Sequence, residues 1–143
     1  EVIGPDLLNA IRNVAEIAIA RPCTNLPPSH LADRLVAWLD RSPTSESLLT
    51  KWHARYLAAR LYLAGEGSAS SKALEQAKAS WHAGQDPAVG AMTINLMISR
   101  GHYAEAAHLL REVEQKVPAS DRQGRQILRT YAEAIENGTR TSR

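Results

Sequence analysis

Five histidines, one cysteine and a short run of arginines are the side chains of this 143-residue sequence whose chemistry could go beyond packing. His30, His53, His82, His102 and His108 fall in separate stretches. Only His108 with Glu112, four residues on, would share a helix face as two metal ligands must. No third ligand is evident in the sequence and no HEXXH occurs, so the pair reads as a surface ion pair or a cap near a helix end. Cys23 has Arg21 nearby but no histidine before His30, so it lacks the base that a thiolate nucleophile needs and reads as a small apolar side chain in a bend. A lone cysteine forms no internal disulfide, and a partner for it would have to lie beyond these residues. Neither a G-x-S-x-G elbow, a phosphate-binding P-loop nor a dinucleotide glycine fingerprint is present. The expectation is a protein that is not an enzyme and uses no metal or cofactor.

Arg122, Arg125 and Arg129 recur at intervals of three and four, which makes a basic stripe on a helix. It reads as a solvated outer face or as a docking strip for an acidic partner or phosphate head groups. Seventeen Lys and Arg against fifteen Asp and Glu leave a net charge of only +2, too small and dispersed for a nucleic-acid footprint. Trp38, Trp52 and Trp81 each sit within a helical apolar pattern and read as core. Asn137-Gly138-Thr139 has the form of a glycosylation acceptor, but the Asn-Gly pair is already accounted for as a helix stop.

Those residues must be positioned by helices. Hydrophobic residues at 44% and charged residues at 22% are globular composition, and no apolar window reaches the length of about 18 residues that a membrane helix needs. With no Phe and abundant Ala and Leu, the core must be closely packed helices. Apolar positions recur with a period near 3.6 over about residues 5–20, 30–41, 45–64, 71–82, 87–100, 103–116 and 121–137, and no stretch alternates with period two. Ser29, Thr44 or Ser45, Asp86 and Ser120 stand where N-caps belong, and Gly65, Gly101 and Gly138 where helices would stop. The chain is expected to be one domain, 1–143, with a helix pair over 1–43, repeat units and a capping helix over 44–138, and a polar tail over 139–143.

The three glycines lie 36 and 37 residues apart, a period of helical repeats. In the best unit, Gly101, Tyr103, Ala106, Leu110 and Pro118 occupy the turn glycine, aromatic, small, large apolar and terminal proline positions of a tetratricopeptide repeat, which this stretch resembles. Tyr62, Gly65, Ala73 and Ala77 repeat the pattern more loosely, with a two-residue insertion near Ser68, while Thr93 and Ile94 replace an expected Leu-Gly pair. The resemblance implies an all-α fold, a short right-handed array of antiparallel helix hairpins with about seven helices. It also implies a scaffold binding a protein or peptide partner. First helices of each pair would line a concave groove bearing His53, Tyr56 and Arg60 from one unit and Asn95 and Ser99 from the next, with Tyr56, Arg60 and Asn95 converging.

The order of an amphipathic helix, an Arg21-Pro22-Cys23 bend, a second helix and then degenerate repeats is also similar to the C-terminal region of bacterial O-antigen polymerase/ligase-type membrane proteins, which include O-oligosaccharyltransferases. That resemblance implies a periplasmic accessory domain, tethered to membrane spans upstream, that contacts glycan or acceptor protein. A start at Glu1, with neither Met nor a signal-like segment, fits a piece of a longer protein. Without that resemblance the location would be cytoplasmic.

Overall fold

The structure, a computed structural model, describes residues 27–41, 48–67 and 70–141. These form six α-helices and no strand: α1 Pro28–Arg41, α2 Leu48–Glu66, α3 Ser71–Gly84, α4 Pro87–Ser99, α5 Tyr103–Glu114 and α6 Arg122–Thr141. The all-helical class read from the sequence is the class observed. The helix expected over 5–20, Cys23, the caps at Thr44 or Ser45, the insertion at Ser68 and the Trp38 side chain lie outside the described residues. The chain divides into two compact units, Glu1–Gly84 and Gln85–Arg143.

In the first unit α2 packs against both α1 and α3. Its sequence dictates this place, because apolar residues surround the helix instead of forming one stripe. Leu57, Leu61, Ala54, Ala58 and Ala59 are all buried, and the three alanines let the neighbouring helices come close. Leu35 and Leu39 of α1, and Leu74 and Trp81 of α3, complete the core. Ser80, wholly buried, donates its hydroxyl to the carbonyl of Trp52 at 2.6 Å and so ties α3 to α2.

In the second unit α5 packs against α4 and α6, and α4 also touches α6. Ala106 is fully buried, as its small-residue position requires. Thr93 and Ile94, the two departures from the repeat pattern, are fully buried as well; the Thr93 hydroxyl is satisfied by donating to the carbonyl of Val89 at 2.8 Å. Leu128 and Ile135, seven residues apart on α6, seal the other side.

Several helix ends differ from the expectation. α1 begins at Pro28, not after Ser29: the Pro27 carbonyl accepts from His30 and Leu31, and a proline in the first turn has no N–H to leave unpaired. α3 is capped by Ser70, whose hydroxyl oxygen accepts from the Ala73 N–H at 3.1 Å. α4 begins as expected, with Asp86 accepting from Ala88 at 2.9 Å ahead of Pro87. Its end is a Schellman turn: Gly101 takes φ 76, its N–H reaches Ile98 and the His102 N–H reaches Met97. α6 is capped by Asp121 accepting from Gly124 at 2.9 Å, in place of Ser120.

Of the three glycines that suggested the repeat period, only Gly101 ends a helix. Gly65 lies inside α2, where a Cβ would come within 3.0 Å of the Ser29 backbone nitrogen, and the left-handed residue is Gly67 at φ 80. Gly138 lies inside α6, under the ring of Tyr103, so the helix runs on to Thr141 through part of the segment expected to be a tail. Both are close-approach glycines, not terminators. Gln85, directly after α3, is the one described non-glycine residue in left-handed conformation, with φ 52.

Candidate functional site

The first unit carries a groove of about 410 Å³ in which α2 supplies the floor and α1 and α3 the walls. Val36 and Asp40 line it from α1, Arg55 and Tyr62 from α2, and Lys72, Glu75, Gln76 and Ala79 from α3. Two hydrogen-bonded straps cross it. At one end Arg55 donates through Nη2 to Asp40 Oδ1 at 2.8 Å and through Nη1 to Gln76 Oε1 at 3.0 Å. At the other, Tyr62 donates to Asp33 Oδ1 at 2.5 Å, and Lys72 lies 3.5 Å from the same oxygen with its ammonium 5.7 Å from the Tyr62 ring centroid. Arg55 and Tyr62 are seven residues apart on one helix face, as are Asp33 and Asp40, so antiparallel packing aligns both pairs in one register. The straps stand two turns apart, roughly 10 Å.

The second strap polarises its two ends in opposite directions. The Tyr62 hydrogen bond, aided by the Lys72 charge, holds the Asp33 carboxyl below its ordinary value of 3.8 against the opposing effect of burial. Burial, followed by the Asp33 hydrogen bond and charge, pushes the Tyr62 hydroxyl above its ordinary value of 10.0. A depressed acid stabilises the fold above its unfolded value and loses that stabilisation as pH falls through the folded one. A raised phenol stabilises below its unfolded value and loses that as pH climbs through the folded one. The strap is therefore expected to favour the fold fully between about pH 4 and 10, with a loss on either side. Urea denaturation from pH 3 to 11 should show that Tyr62→Phe flattens both flanks; unchanged flanks would mean that the hydrogen bond contributes nothing to folding.

The residues expected to form a concave groove fall in both units. His53, Tyr56 and Arg60 are half-buried on α2, on roughly the opposite side of that helix from Arg55 and Tyr62. The His53 ring stacks on Trp52 at 5.1 Å between centroids, and the Arg60 guanidinium lies 5.7 Å from the Tyr56 centroid. Asn95 and Ser99 are exposed on α4, joined by the Ser99 hydroxyl donating to the Asn95 carbonyl at 3.0 Å. Arg55, Asp40 and Gln76 escaped the sequence reading. The seven-residue spacings were the available signal, but nothing local tells which spaced pairs will face each other.

In the second unit Arg122, Arg125 and Arg129 come together as the stripe predicts, lining with Ala119 and Gln126 a depression of about 390 Å³. Arg125 is half-buried and its Nη2 donates to the Val117 carbonyl at 2.6 Å; its Nε is buried without an acceptor. Arg122 and Arg129 are exposed. His108 and Glu112 pair on the surface of α5 at 3.3 Å. Among the described residues no group of three or more His, Cys, Asp or Glu side chains could hold a metal ion, and no helix is long and apolar enough to cross a membrane. Compared with family models, with curated proteins and with solved structures, the chain matches none.

Proposed function

We propose that this chain is a non-catalytic, tetratricopeptide-like interaction module whose first-unit groove takes an extended polar segment of a protein partner. The observation that carries the reading is the groove itself: its shape is held by the Arg55 and Tyr62 straps, with Glu75 exposed on its wall. A groove held open by its own hydrogen bonds loses little freedom on binding, which favours affinity. Val36 and Ala79, both half-buried, give it apolar patches for aliphatic side chains, while Asp40 and Glu75 offer acceptors to amide or ammonium donors.

The test is selection of unstructured displayed peptides on the chain, followed by titration of the enriched ones. Ala79→Arg, which fills the groove from a partly exposed helix position, should weaken them at least tenfold, about 1.4 kcal/mol. Arg60→Ala probes the opposite side of α2 and should leave them unchanged. Peptides indifferent to Ala79→Arg would reject the groove, and dependence on Arg60 would move the binding face to the side expected from the repeat register. The accessory-domain reading, in which the chain contacts glycan or acceptor protein, differs in forecasting that oligosaccharides bind as well.

A further inference from the structure

The cationic depression on α6 lies outside the groove and in the other unit. Three arginines line it, and among the described residues no carboxylate pairs with any of them. The first turn of α6 carries no acidic residue, and Asp121, just ahead of it, is occupied in capping Gly124. Arg125 is held in place through Nη2 by the Val117 carbonyl at 2.6 Å, and its buried Nε meets no protein acceptor. We infer that this depression binds a phosphate monoester carried on a serine or threonine of a partner segment.

The number of arginines lining the depression decides between kinds of anion. A single carboxylate has two oxygens and is saturated by one bidentate arginine, whereas three guanidiniums around one depression match a tetrahedral group with three strong acceptor oxygens and nearly two charges. A bilayer is disfavoured because the one large apolar side chain exposed among the described residues, Ile127, lies on the far side of α6 from the arginines, leaving nothing beside them to insert. A nucleic acid is disfavoured because no aromatic residue lines the depression to stack on a base.

The test is a degenerate peptide pool with a central phosphoserine, compared with the same pool carrying serine or glutamate there, measured by fluorescence polarisation at two salt concentrations. The phosphoserine pool should bind at least tenfold more tightly than either, and inorganic phosphate should compete. Arg122→Gln combined with Arg129→Gln, both exposed positions that leave the Val117 tether intact, should abolish the difference. Arg125→Ala should do the same, while Arg140→Ala, which removes a guanidinium paired with Glu136 at 3.0 Å, should not. Equal binding of the three pools, or a phosphoserine preference that survives the double variant, would overturn the inference. So would tighter capture by phosphoinositide vesicles or single-stranded DNA than by the phosphoserine pool.

Discussion

Truncation of Leu61 to alanine is expected to cost about 2–5 kcal/mol, a large part of the roughly 5–15 kcal/mol that holds a typical domain together. Leu61 is wholly buried on the helix that packs against two others, so its side chain meets neighbours on more than one side. Removing it forfeits the transfer free energy of the lost methyl groups and leaves a cavity that flanking helices, tied by Ser80 and the Arg55 strap, cannot fully close. Leu63, half-buried two residues on, is the control and should cost clearly less as alanine. Urea denaturation followed by far-UV circular dichroism measures both. A Leu61→Ala loss below about 1 kcal/mol would contradict the placement of α2 at the centre of its unit.

The second large effect is expected at Gly84, where the fault is excess volume. A Cβ there would fall inside the contact shell of the Trp52 ring, which covers the last turn of α3. Gly84→Leu must push the ring away or bend the helix end, and overpacking of this kind costs about 1–3 kcal/mol. Because Trp52 also stacks on His53, its displacement should be visible in the one-dimensional proton spectrum as a shift of one indole N–H resonance out of three tryptophans. Gly84→Ala should give the same shift in smaller measure. An unmoved indole resonance together with unchanged stability would show that the ring does not rest on Gly84.

Legibility followed the distance over which each contact acts. Asp86, Pro87 and Gly101 were readable as a cap, a first-turn proline and a stop, because each acts on backbone groups within about five residues. Neighbours competing for one role were harder: Asp121 took the cap assigned to Ser120 because its carboxylate reaches the Gly124 N–H. Gly65 and Gly138 were misread for a deeper reason. A glycine that ends a helix and one that admits another chain segment are alike in sequence, and the segments concerned, Ser29 and Tyr103, lie some 35 residues away in each case. With two of its three markers inside helices, the repeat period draws no support from the glycine spacing.

What the residues determined by themselves is the all-helical class, the apolar faces and the arginine stripe of α6, since a period near 3.6 decides which side chains share a face before any tertiary contact forms. Only the tertiary structure decided which faces meet. Arg55 joins Asp40 and Gln76 across 15 and 21 residues, and Tyr62 joins Asp33 across 29, so the groove exists only once three helices are laid in register. The same holds at α6, where periodicity lines up Arg122, Arg125 and Arg129. It is the turn bearing Val117 and Ala119 that tethers Arg125 and makes a stripe into a depression. Side-chain spacing along a helix is fixed by its covalent geometry, whereas the choice of opposing helix depends on burial summed over the whole unit, which no local pattern encodes.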